Sequence, residues 1–245
     1  MKTKIDIIYS DEDVIVINKP PGMLSIPDRF ETSKENLSIL LRSYFTGEIF
    51  VVHRIDRETS GILCFARNAE AHKHLNNQFL HHTVDKIYHA FVDGNLSAEN
   101  GTIDAHIAPH PYQEGKMIAG KVGKEAITHY KVLEKFKIGT FVEIKIETGR
   151  THQIRTHFKY INHPLLIDSI YGKREAIFTK EIKGFKYHSV INGEDEERPL
   201  LNRLSLHASK IGLIHPTKNT KMEWEAPFPK DMKATLNQLK KWNKI

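Results

Sequence analysis

The chain has 245 residues, 40% of them hydrophobic, enough to bury a full core and to exclude a disordered or fibrous class. Lys and Arg number 36 against 30 Asp and Glu, a net charge of +6 that permits an acidic partner without requiring one. The single cysteine, Cys64, excludes an internal disulfide; Asp6 and the run Asp11-Glu12-Asp13 break any apolar leader, and no stretch reaches membrane-spanning length, so a cytoplasmic protein is expected.

Val14 to Ile17 predicts a buried strand stopped by Pro20, Pro21 and Gly22. Asn36 to Phe45 carries Leu37, Ile39, Leu40, Leu41 and Tyr44 at helical spacing. The apolar runs Ile49 to Val52 and Ile62 to Phe65 flank the polar stretch His53-Arg54-Ile55-Asp56-Arg57-Glu58-Thr59-Ser60-Gly61, which reads as strand, loop, strand. Its one aspartate stands between two arginines. Those guanidiniums would keep Asp56 ionised and attract a polyanion; equally, a surface turn can carry charges that neutralise one another. A helix over Ala69 to Phe79 follows, with Ala71, Leu75 and Phe79 inward.

Lys86 to Val92 alternates with period two, placing Tyr88 on the same face as the small Ala90 and leaving room above the phenol for a planar ligand. Ala126 to Phe136 and Phe141 to Ile146 predict a hairpin turned at Lys137-Ile138-Gly139-Thr140. Thr148-Gly149-Arg150 ends that sheet segment, and Thr151 is the expected cap of a helix reaching about Tyr160. Its start, Arg150-Thr151-His152-Gln153-Ile154-Arg155, offers exposed amides and two arginines to an anion, making Arg150, His152 and Gln153 candidate binding residues. Residues 173–199, with the acidic cluster Glu194 to Glu197, read as a surface insertion. Strands over Leu204 to Leu213 and Lys221 to Trp224 and a helix over Asp231 to Trp242 complete an α+β chain whose central sheet is mixed and mostly antiparallel.

Besides the Asp56 loop, four segments resist explanation by packing alone: Asn18 to Met23, Lys86 to Ala90, Thr148 to His157, and Arg203 to Ala208. In this order they resemble the RluA-type family of RNA pseudouridine synthases, over about Ile5 to Phe228. The resemblance implies the pseudouridine-synthase catalytic fold as a single domain over residues 1–245, with no separate N-terminal RNA-binding domain. It also implies isomerisation of uridine to its C5-glycoside in structured ribosomal or transfer RNA, without cofactor or metal. Asp56 matches the catalytic aspartate and could attack C1′ or take the C2′ proton. Arg155 matches the basic residue expected to pair with it, and Arg150 is the competitor. Tyr88 matches the active-site tyrosine. Arg54 falls beside the flipped nucleotide, and Arg57 meets phosphate or is structural. Of Asn18-Lys19-Pro20-Pro21-Gly22 only the first two would approach RNA, and a lysine there is ordinarily solvated. Thr59 and Ser60 are expected to bond nearby backbone amides, and His207 and His215 to be hydrogen-bonded core residues.

The chain departs from the family pattern at Asn162 and Ile167, each standing where a glycine is usual, which puts the turn before Asp168 in question. A non-catalytic RNA-binding or RNA-folding module is the rival reading; it would keep the basic surface but have no need of Asp56 and Tyr88. A metal enzyme lacks its motif despite usable spacings such as His72 with His74, and a glycosidase lacks its second carboxylate. Expected partners are structured RNA, with no membrane and no obligatory protein partner; a monomer is expected.

Overall fold

A computed structural model describes residues 5–27, 31, 34–184 and 198–245; the acidic cluster Glu194 to Glu197 lies outside them. The first strands are β1 (Asp6–Ser10) and β2 (Val14–Lys19), of which only the second has the apolar run that announces it. Helix α1 (Leu37–Arg42) is shorter than its periodicity because Ser43 ends it; Asn36 caps its start by accepting the Ile39 N–H. After the two-residue β3 (Phe50–Val51), β4 (Ser60–Ala66) is buried at every position. Helix α2 (Ala69–Leu80) is capped by Asn68 and turns Ala71, Leu75 and Gln78 inward.

Strand β5 (Asp85–Asp93) buries Lys86, Tyr88, Ala90 and Val92 on one face, while Ile87 and His89 on the other are only half-buried. Next come β6 (Asn100–Asp104), β7 (His106–Pro109), β8 (Met117–Gly120), β9 (Ile127–Phe136) and β10 (Gly139–Ile146). Helices α3 (Gln153–Tyr160) and α4 (Thr179–Lys183), strands β11 (Leu206–Ile214) and β12 (Lys221–Glu225), and helix α5 (Lys230–Trp242) complete the order. Strands β1, β6, β7 and β8 and helix α4 were not legible, being short and without clean alternation.

The chain divides into two compact units, the first formed by Met1–Tyr88, Lys145–Glu147 and His207–Pro227, the second by His89–Ile144, Thr148–Leu206 and Phe228–Ile245. In the first, the strands run β1-β2-β4-β11, with β3 added to β4 and β12 to β11. The pairing is antiparallel except where β11 meets β4 in parallel, with His207 opposite Ser60 and Ala208 opposite Gly61. Gln78 of α2 extends the ladder, its amide exchanging two hydrogen bonds with the Ile214 backbone.

In the second unit the order is β5-β10-β9-β6, and β7 and β8 form a separate antiparallel hairpin. Its core gathers Phe91, Phe136, Phe141, Leu166, Met232 and Leu239. Ile177 and Ile182 join the same core, so the segment expected as a surface insertion is anchored through its first part by two fully buried side chains. The whole is an α+β architecture with a mixed, mostly antiparallel sheet.

Candidate active site

In the first unit the loop between β3 and β4 is fixed from both ends. His53 accepts the Cys64 N–H at its Nε2 (3.0 Å) and stacks on Phe79, ring centroids 4.6 Å apart at 20°. Burial, helped by the Lys86 charge, lowers the His53 pKa to about 3, so the ring is neutral at physiological pH with its proton on Nδ1. Asp56 to Thr59 forms a turn closed by the Thr59 N–H on the Asp56 carbonyl (3.1 Å). At Gly61 φ is +111°, and a Cβ would stand 2.1 Å from the Ala208 carbonyl oxygen, so only glycine lets β4 lie this close to β11. Ser60 Oγ bonds His207 Nδ1, whose Nε2 donates to the Ala226 carbonyl, making His207 the hydrogen-bonded core residue expected.

Lys19 corrects the expectation of a solvated or RNA-facing lysine. It is fully buried, and its ammonium donates to the carbonyls of Pro20 (3.0 Å), Met23 (2.8 Å) and Arg57 (2.7 Å). Gly22 and Arg57 add two bonds, Gly22 N–H to Arg57 O and Arg57 Nε to Gly22 O, both 2.9 Å. The Pro-Pro-Gly turn is thereby tied to the Asp56 loop, and Arg57 braces that loop through its own side chain. Thr59 also differs from expectation: its hydroxyl is buried without a hydrogen-bond partner among the described residues.

Asp56 itself is half-buried and Arg54 exposed. Tyr88 is 9% exposed, and burial, with the Asp56 charge adding to it, raises its phenol well above the ordinary tyrosine range. Lys86, two residues earlier on the same buried face, donates to the Glu147 carbonyl (3.1 Å).

In the second unit the stretch from Thr148 to His157 closes on itself. Gln153 uses its whole amide internally: Oε1 accepts from the Thr148 hydroxyl (2.8 Å) and the Arg150 N–H (3.0 Å), and Nε2 donates to Ile127 O (3.0 Å) and Thr128 Oγ1 (3.1 Å). It is a clamp between β9 and the start of α3, which departs from its expected place among the binding residues. The cap position of α3 belongs to His152 and not to Thr151; His152 takes φ +55° and bonds the Tyr171 hydroxyl through Nδ1 (3.0 Å). Arg150 donates from Nε to Glu125 O (2.9 Å).

Arg155, 4% exposed, forks onto Asp168 through Nε and Nη2, both 2.8 Å, and Tyr171 lies under its guanidinium at 5.1 Å. The carboxylate seen to orient it is thus one that the sequence did not assign. A signal was present, because an arginine on the buried stripe of a helix needs a carboxylate, and Asp168 follows the apolar run Leu165 to Ile167. Asp168 also accepts the Ile170 and Tyr171 N–H groups, so its turn is intact despite the missing glycines. Asn162 holds φ +63°, which asparagine tolerates better than most side chains.

The three groups Asp11, Asp13 and His215 are close enough to hold a metal ion. Asp11 however already receives Tyr9 O–H, His215 Nε2, Lys218 Nζ and two backbone N–H groups, and Asp13 receives Asn68 and Thr217. The Lys218 ammonium supplies the positive charge there, and His215 is a hydrogen-bonded core residue.

The family model described as RNA pseudouridylate synthase matches residues 13–160. The chain belongs to this family. The synthase is 39% identical over 244 residues to the uncharacterised RNA pseudouridine synthase YlyB of Bacillus subtilis (strain 168), covering 97% of this chain and 73% of that protein. It is 35% identical to ribosomal large subunit pseudouridine synthase D of Yersinia pestis, covering 96% and 71%. Among solved structures, human RNA pseudouridylate synthase domain containing 1 superposes with a TM-score of 0.67 at 26% identity, covering 94% of this chain and 85% of that one. The fold is shared with human RNA pseudouridylate synthase domain containing 4, TM-score 0.72. The synthase is thus an RluA-type RNA pseudouridine synthase, an isomerase.

Proposed function

We propose that the synthase isomerises uridine in ribosomal RNA, in the cytoplasm, with Asp56 as the group that acts on the sugar. The ribosomal substrate is supported by relatives named for the large ribosomal subunit. The observation that carries the site is the pairing, within one compact unit, of a carboxylate on a braced loop with a buried phenol close enough to feel its charge.

The reaction breaks the N1–C1′ bond, turns the uracil and forms C5–C1′, after which the C5 proton must leave. Asp56 Oδ attacks C1′, or removes the C2′ proton; either role needs it as the carboxylate. Tyr88 stacks on the base. Its raised pKa keeps the phenol protonated, so it takes the C5 proton only by giving its own hydroxyl proton to a water molecule in the same step, while N1 takes up a proton from solvent; it is a relay and not a standing base. The target base must first leave its stack, and Arg54, exposed two residues before Asp56, is assigned to brace the vacated space. Arg57 acts on the loop through Gly22.

Mapping pseudouridines across total RNA with and without the synthase identifies the target. On that target, Asp56→Ala is expected to bind as wild type does but to lose at least about 10⁴-fold in pseudouridine formation. A variant as active as wild type would refute the assignment, and a binding-only module would be indifferent to it.

A further inference from the structure

We propose that the exposed face of α5 is a second RNA contact, a phosphate-binding strip outside the reacting residues. It rests on the reading of RNA as substrate. Lys230, Lys233, Lys240 and Lys241 stand on α5, and Lys244 lies just past its end; all are exposed. Glu134 pairs with Lys240 and Lys244, and Asp231 turns to Arg203, but Lys230, Lys233 and Lys241 form no ion pair among the described residues. The row extends along a 13-residue helix, about 20 Å at the α-helical rise.

Trp242 marks this face as more than a solvated run of lysines. Its ring packs against the second unit's hydrophobic core and holds two ammoniums, Lys241 at 5.0 Å and Lys183 of α4 at 5.6 Å from its centroid. Cations seated on a fixed ring lose less freedom when they meet an anion than lysines waving in solvent. No residue of α5 is an exposed large hydrophobe, so a protein partner would find no anchor, whereas a polyphosphate backbone needs only ordered positive charge.

The test uses the full chain and a fluorescein-labelled RNA hairpin of about 20 base pairs, with affinity followed against salt. Replacing Lys230, Lys233 and Lys241 together by Gln is expected to lower the slope of log K against log salt by about two to three, one for each lost phosphate contact, and to weaken binding about tenfold or more at low salt. Replacing the same three by Arg should restore both. A Gln variant with the wild-type slope overturns the strip, as does an Arg variant as impaired as the Gln one, since that would mark a packing defect. Pseudouridine formation by wild type is scored separately. If it is absent from all RNA, the functional reading itself fails; if it is present and the slopes coincide, only the strip fails.

Discussion

Asp56 and Tyr88 share one electrostatic circumstance seen from two sides: a carboxylate near a buried phenol makes that phenol harder to ionise. If the hydroxyl relays the C5 proton, Tyr88→Phe keeps the stacking ring and loses the relay. Turnover should then fall by about 10²–10⁴ while KM for RNA stays within about twofold. Unchanged turnover would leave Tyr88 as a platform only. The Asp56 loop was legible as a loop because a polar motif between apolar strands stands out. Lys19 was misread for the opposite reason: sequence shows a lysine beside two prolines, but not the three carbonyls that converge on its ammonium once the loop folds.

The Asp56 loop leads into β4 and Arg155 stands on α3, and each of these two elements has a single point on which its placement hinges. Gly61→Ala would drive a Cβ into the Ala208 backbone at a φ alanine avoids, and a loss of more than about 4 kcal/mol, read by denaturant titration, is expected. A change below about 1 kcal/mol would mean the parallel pairing of β4 with β11 yields easily. For α3, Asp168→Ala removes the carboxylate that forks with a guanidinium only 4% exposed, so about 3–5 kcal/mol of stability should go with it. Stability within about 1 kcal/mol of wild type would show that Arg155 does not depend on Asp168. Element boundaries were read well where periodicity was strong, as in α2 and α5. They were missed in β6, β7 and β8, four or five residues each, whose pairing partners and not their own pattern make them strands.

For the molecule as a whole, two histidines shape the response to acid, the half-buried His53 and the fully buried His157. The His53 pKa is lowered from 6.5 to about 3, and burial lowers that of His157 as well, although its bond to the Ala105 carbonyl opposes the shift. A histidine depressed on folding is neutral in both states above its unfolded pKa; below it the unfolded chain takes the proton first, so stability is lost as pH falls from about 6.5 towards 3. Unfolding free energy should be flat above pH 7 and decline below 6.5, His53 alone contributing up to about 1.4 kcal/mol per pH unit. His53→Gln, whose amide oxygen can still accept the Cys64 N–H, should decline less steeply. Parallel curves would remove His53 from the acid response.

By itself the sequence determined the α+β class, the order of the motifs and the family they belong to, because these follow from periodicity and from residue choices made within a few positions. Only the tertiary structure decided which carboxylate orients Arg155, that Gln153 is a clamp, that Lys19 is buried and that glycine is obligatory at Gly61. Each of these depends on an atom far away in the chain, at Asp168, Thr128, Arg57 or Ala208, and close approach between distant segments leaves no periodic trace in either one.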